Sequence, residues 1–239
     1  MAAISVEGIV IRRADYREND RMLTLLTPGG RMDVLARGCK RPKSPLLPCS
    51  ELFAMGNYEL AGAHGHAVVA SCLLQESFYN LRLDMDRLSC AAYMANICEA
   101  TVQPDDNAQR PFLLLAHALK RLNFHDDPPR AVLSVFLLHY AIAMGYRPRL
   151  NHCVSCGQEI EQQGGALFDI EQGGVLCPDC AGKLTRGMVL QASELNWLRE
   201  AREKGIRCEL PPENAPLSLL QAYLEARIEK HIPPLMTKL

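Results

Sequence analysis

The sequence predicts an α+β chain of more than one domain: a five-stranded barrel first, then an α-helical domain, with a four-cysteine metal ribbon inserted in the helical part. Three observations lead there. The first about 75 residues break into short runs of strand character with no helical period between them. From Phe78 onward, apolar residues return every three or four positions. Between two such stretches stand Cys153-Val154-Ser155-Cys156 and Cys177-Pro178-Asp179-Cys180. The expected boundaries are 1–76 for the barrel and 77–239 for the helical domain, with the metal lobe at 150–184 inside it.

The strands come first. Ser5–Arg12 and Met22–Leu26 flank a polar loop, Ala14–Asp20. Thr27-Pro28-Gly29-Gly30 then turns the chain, with proline preset for the first central position and glycine free to take positive φ. Arg31–Ala36 returns as a third strand, and Leu52–Leu60 and Ala67–Gln75, joined through Ala61–Gly65, complete the set. Five strands in this arrangement suit a barrel of the oligonucleotide-binding type, although an SH3-like barrel has the same linear pattern.

Charge is distributed unevenly. The net charge is only −1, yet residues 1–45 carry nine basic against five acidic side chains, and the remainder carries 17 against 22. A basic front end on an acidic body fits a polyanion-binding surface if those charges converge. Arg37, Lys40, Arg41 and Lys43 crowd one loop, whose prolines keep it out of helix or central strand and imply a mobile surface segment. A basic loop can also be a mere solubilising feature. Arg12, Arg13, Arg17 and Arg21 around the neighbouring strand connection weigh against that reading. For base stacking there are only Tyr16, Phe53 and Tyr58, the latter two expected in the core, so binding should be dominated by the backbone phosphates and tolerant of sequence.

Helices follow over Phe78–Thr101, Pro111–Phe124 and Ala131–Gly145, divided by Pro104–Asn107 and Asp126–Pro129. Two more are expected, one capped by Ser193 and ending at Gly205, and one from Pro216 to Pro233-Pro234 that carries His231. Phe112, Phe136, Tyr140 and Met144 read as packing residues.

The two Cys-x-x-Cys pairs form a tetrathiolate set for one structural Zn2+, Cys153, Cys156, Cys177 and Cys180. Gly157 and Gly182 follow the knuckles and allow a tight turn, and Ala166–Ile170 with Gly174–Leu176 form a hairpin between them. Four thiolates leave no coordination position for water, so such an ion supplies folding energy rather than Lewis-acid chemistry. His152 reads as a surface residue rather than a substitute ligand. A zinc deaminase is excluded because His64-Gly65-His66 lacks the required Glu and Pro178 lies within its knuckle. A dithiol redox centre would need no second pair. The other six cysteines, Cys39, Cys49, Cys72, Cys90, Cys98 and Cys208, show no disulfide framework and read as small apolar fillers, Cys39 alone being a candidate for exposure. No stretch has signal-peptide or membrane-span character, which places the chain in the cytoplasm.

Glu7-Gly8-Ile9-Val10-Ile11, Tyr16–Arg21, Leu23–Thr27, Leu35–Gly38 with its basic tail, and Gly145–Pro148 before the first knuckle resemble the RecO family of bacterial DNA-repair proteins. The resemblance runs from barrel to final helix. It implies a non-enzymatic, nucleoid-associated recombination mediator that binds single- and double-stranded DNA and anneals complementary strands. With RecR it would help load RecA onto DNA coated by single-strand-binding protein (SSB), whose acidic, apolar tail it would recognise. A cation beside an apolar groove in the helical domain is needed for that tail, and Lys120, Arg121 and Arg130 are the candidates. A zinc-ribbon protein–protein adaptor with no DNA contact is the competing class.

Overall fold

The structure is a computed structural model that describes residues 4–62, 67–161, 165–182, 187–211, 216–230 and 232–233. Among these the chain divides into two compact units, one running up to His125 together with Pro233, the other Asp126–Ile232.

The first unit opens with β1 (Ile4–Tyr16), β2 (Asp20–Thr27), β3 (Gly30–Ala36), β4 (Met55–Ala61) and β5 (Ala67–Glu76). They close into a barrel in the order β1-β2-β3-β5-β4, a Greek-key order that distinguishes the oligonucleotide-binding type from a simple meander. Strand β1 is long because it serves two neighbours. Ile4–Ile9 pair with β4, Ile9–Tyr16 pair with β2, and a register shift between Val10 and Arg12 bends the strand between the two jobs. Closure is made by a short parallel contact, Val34 to Ala67 and Leu35 to Val68.

Alternation along the strands fills the barrel with Val10, Leu23, Leu25, Val34, Tyr58, Leu60 and Val69, all buried. Phe53 and Tyr58 are fully buried, as their patterning required. Tyr58 donates its hydroxyl to the Cys49 carbonyl at 2.9 Å, and burial pushes its ionisation well above the ordinary phenol range. The fourth strand starts later than expected. Phe53 sits at φ +69°, a conformation no strand tolerates, and Pro48–Ser50 form a single 3-10 turn ahead of it. The polar loop before β2 is correspondingly shorter, because β1 continues to Tyr16. At the β2–β3 turn, Gly30 has φ +110°, and a Cβ there would lie 2.7 Å from the Asp105 backbone nitrogen, so only glycine fits. In the loop expected at 61–65, Ala63, His64 and Gly65 lie outside the described residues, as does His66.

Two helices pack in the same unit, α1 (Met85–Thr101) and α2 (Gln109–Phe124). The single helix expected from Phe78 is interrupted. Phe78 takes φ +48°, Tyr79–Leu83 form a 3-10 turn, and the Asp84 carboxylate then caps α1 by accepting from the Asp86 and Arg87 amides. Arg87 donates to the His125 carbonyl at 2.7 Å, placing a cation at the carbonyl end of α2.

The second unit contains α3 (Pro129–Ala143), whose residues 131–141 are all buried. After it come β6 (Ala166–Asp169), β7 (Gly174–Leu176), the one-turn α4 (Pro178–Ala181), β8 (Met188–Leu190), α5 (Ala192–Lys204) and α6 (Leu217–Ile228). Helix α3 packs on α5 and α6, and Phe168 of β6 meets Tyr223 of α6 edge to face at 5.5 Å. The expected hairpin is present and gains a third strand, β8, in the order β7-β6-β8. Helix α5 starts before Ser193: Glu194 accepts from the Gln191 amide at 2.8 Å, which sets the cap two residues earlier, at Gln191. Helix α6 stops at Ile228 because Glu229 turns to φ +52°; His231 and Pro234, as well as Leu184 at the expected end of the metal lobe, lie outside the described residues.

Candidate nucleic-acid interface and metal centre

The 37–43 loop is pinned rather than free. Its Gly38 amide donates to Asp20 Oδ1 at 2.7 Å, and the Lys40 amide donates to the Asn19 carbonyl at 3.0 Å. Cys39, the one of the six filler cysteines that was a candidate for exposure, is fully buried and joins the barrel core. The β1–β2 turn and this loop thus form one surface at an end of the barrel. Gly38 at φ +64° and Lys43 at φ +66° shape it, and the Arg41 amide closes a turn on the Gly38 carbonyl at 3.2 Å.

The eight basic residues read from the sequence separate by what they touch. Arg21 is 12% exposed; it donates to Glu51 Oε1 at 2.7 Å and Ser50 Oγ at 3.0 Å, and its Nε lies 3.6 Å from Asp15. Burial opposes its charge, but the Glu51 carboxylate outweighs burial and raises its basicity further. Arg13 pairs with the same Glu51. Lys40 Nζ sits 2.9 Å from Asp15 Oδ2, and that hydrogen bond is the main reason the Asp15 carboxyl is held below its ordinary value. Arg12 meets Glu99 of α1 at 3.0 Å while remaining 62% exposed, a surface pair of little strength that an incoming phosphate can displace. The other four, Arg17, Arg37, Arg41 and Lys43, are exposed and have no ion-pair partner among the described residues. Arg17 lies over the ring of Tyr16 at 5.2 Å, leaving Tyr16 as the exposed aromatic of this surface.

Of the cations considered for an acidic peptide tail, Lys120 and Arg121 stand at the end of α2 in the first unit, whereas Arg130 begins α3 in the second. Leu113 and Phe124, 53% and 59% exposed, share a helical face with Lys120 at spacings of seven and four residues. The sequence reading passed over them because apolar residues on an amphipathic helix are assigned to the core by default.

In the second unit, the sulfurs of Cys153, Cys156, Cys177 and Cys180 all lie within 4.8 Å of one another, with Cys156 and Cys177 at 3.6 Å. A tetrahedron with Zn–S bonds of about 2.3 Å has edges of about 3.8 Å, so the set fits one such ion. Local backbone geometry explains the convergence. The Gly157 amide bonds the Cys153 carbonyl at 2.9 Å with Gly157 at φ +80°, and the Cys180 and Ala181 amides return to the Cys177 carbonyl at 3.1 and 2.9 Å. Gly182 stays in the ordinary helical region, so the second knuckle turns without left-handed backbone. Burial resists ionisation of Cys153, but the Cys177, Cys156 and Ser155 amides point at its sulfur and bring it to about 6, whereas at Cys156 the Gln158 amide favours the thiolate but the Cys153 and Cys177 sulfurs outweigh it and push it up to about 12. His152 is exposed and does not belong to the four-ligand cluster. No helix among the described residues is long and apolar enough to cross a membrane.

Comparison with known proteins agrees with this anatomy. The family model described as "Recombination protein O N terminal" matches residues 1–78, and "Recombination protein O C terminal" matches residues 82–236. A protein of Roseiflexus sp. named DNA repair protein RecO is 37% identical over 231 residues, covering 94% of this chain and 81% of its own. One of the same name from Symbiobacterium thermophilum is 31% identical over 240 residues, covering 97% and 95%. The two family models together span nearly the whole chain and the relatives match along almost its full length, so the chain belongs to the RecO family of DNA repair proteins.

Proposed function

We propose that this protein is a non-enzymatic recombination mediator that grips the backbone of single- and double-stranded DNA on the barrel and anneals complementary strands. With RecR it helps RecA load onto DNA covered by SSB. The observation that carries the reading is the set of exposed, unpaired cations Arg17, Arg37, Arg41 and Lys43 on a hydrogen-bonded platform. Cations held on fixed backbone lose little entropy on meeting phosphates, and the counterions they release drive binding without regard to sequence. Reduced repulsion between two strands on such a surface promotes pairing, and base pairing itself supplies the selectivity. Arg12 and Lys40 join once phosphate displaces their carboxylates, whereas Arg13 and Arg21 brace the platform through Glu51. The acidic SSB tail would lie along Lys120 with its apolar residues on Leu113 and Phe124. The four thiolates hold one structural zinc ion, which when bound closes the knuckles and stabilises the lobe.

The test is fluorescence anisotropy of a labelled single-stranded oligonucleotide across a salt series, with wild type beside Arg37→Glu/Arg41→Glu/Lys43→Glu. The log–log salt slope should fall by at least about 2 units in the variant, about 0.7 per lost phosphate contact, at unchanged melting temperature. An unchanged slope would remove this loop from the interface, and no binding by wild type at low salt would leave the protein-adaptor reading.

A further inference from the structure

The arginines of the second unit are not used by that reading. A cleft of about 410 Å³ opens beside the first cysteine knuckle, lined by Arg149, Asn151, His152 and Arg202 among others. Arg149 is exposed, with one contact from its guanidinium to the Gln172 carbonyl at 3.0 Å. Arg202 is 11% exposed, and its NH1 donates to the Pro148 carbonyl at 3.2 Å. Arg199 stands behind, donating to the Leu150 and Ile160 carbonyls at 2.9 and 3.1 Å. Neutral carbonyls fix these guanidiniums in place but do not cancel their charge. Glu203 bridges Arg147 at 2.8 Å and Arg202 at 3.0 Å. Burial first, and then the charge of Arg202, lower the basicity of Arg199, while the Glu159 carboxylate partly offsets them.

We infer that this cleft is an anion site that takes a backbone phosphate of a nucleic-acid strand, giving the cysteine-bearing unit a strand contact of its own. The inference rests on the mediator reading. An annealing protein has to engage two strands, and the planar fork of arginine matches a phosphate with two parallel hydrogen bonds. The amides of Ser155, Cys156 and Cys177 point at the Cys153 sulfur, so the donors for such an anion are side chains, with Arg149 the most accessible. Glu203 occupies Arg147 and Arg202 in the absence of a strand and therefore acts as a built-in competitor.

This gives two exposed substitutions with opposite signs. The zinc-loaded full chain would be measured with a labelled single-stranded oligonucleotide across a salt series and in a two-strand annealing assay, zinc content and melting temperature being checked for each variant. Arg149→Gln should lower the salt slope by about 0.7 and slow annealing, while Arg149→Lys keeps the slope. Glu203→Gln should tighten binding several-fold. If wild type binds steeply and the barrel variant flattens the slope, but Arg149→Gln and Glu203→Gln match wild type, the cleft inference falls and the mediator reading stands. If wild type does not bind DNA at low salt, both fall. If a labelled oligoglutamate peptide binds through Arg149 and DNA does not displace it, the cleft serves protein carboxylates and the inference is overturned.

Discussion

The basic loop of the barrel and the cysteine knuckles of the second unit are both irregular backbone, yet they are organised in opposite directions. In the loop, backbone amides at Gly38 and Lys40 turn inward to Asp20 and Asn19, Cys39 enters the core, and the charged ends of Arg37, Arg41 and Lys43 are left outside. In the knuckles the reactive ends themselves converge, from buried Cys153 and Cys177 and from exposed Cys156 and half-exposed Cys180. The first arrangement spends its backbone to present side chains to a partner. The second brings its side chains together around one point, where a single ion fits.

That contrast can be broken most forcefully at the knuckles. Cys177→Ser, or stripping metal with a chelator, should destabilise the second unit by more than about 4 kcal/mol, since loss of a structural metal belongs to the largest class of single-site effects. Hydrogen exchange should show protection lost in β6 and β7 and retained in β1–β3. Equal loss in both units would mean that the barrel also depends on the metal.

Next come substitutions within the barrel platform. Arg21→Leu removes charged hydrogen bonds to Glu51 and Ser50 and should cost about 2 kcal/mol in denaturant unfolding, whereas Arg37→Glu should leave unfolding unchanged and weaken DNA binding. If Arg21→Leu instead reduced affinity with stability intact, the division between bracing and presenting arginines would be wrong. Asp20→Ala is milder: it deprives the Gly38 amide of its acceptor, about 1 kcal/mol, and should weaken DNA binding modestly by loosening cations it never touches.

The smallest effect is a pH dependence confined to the second unit. His139 is buried, with Cys208 Sγ 4.0 Å from its Nε2, and burial lowers its basicity despite a hydrogen bond to Gly205. The unfolded chain takes up a proton near the ordinary histidine value of 6.5 and the folded one resists it. The stability His139 contributes is therefore complete above that value and declines as pH falls below it. Unfolding followed at Trp197 in α5 should show this decline, and His139→Gln should flatten it; a rise in stability on acidification would contradict the assignment.

Much of this was legible in the residues, and the failures have physical causes. Strand order was not, because a linear pattern of five strands carries no information about which edges meet; the Val34–Ala67 and Leu35–Val68 pairs that close the barrel lie far apart in sequence. The convergence of the four cysteines was readable because Cys-x-x-Cys spacing is itself the geometry of half a tetrahedron. The basic residues were readable as a group and not as individuals, since composition shows charge but not the carboxylates that answer it. Glu51 claims Arg13 and Arg21 from 38 and 30 residues away, and Asp15 claims Lys40 across 25. The cleft arginines were missed for the same reason, because Arg149 and Arg202 are brought to one cavity only by the fold.

The seam between β3 and β5 has a consequence for how the barrel comes into being. Strands β1, β2 and β3 pair with near neighbours and can form a meander as soon as Ala36 has been made, but β1 then waits for β4 and β3 for β5. Until residue 76 is available, two strand edges lie open on a nascent sheet, the state most prone to wrong pairing. Residues 1–36 carry five basic and five acidic side chains, so net charge does not keep two such unfinished sheets apart, and protection comes only when β4 and β5 arrive to cover the open edges.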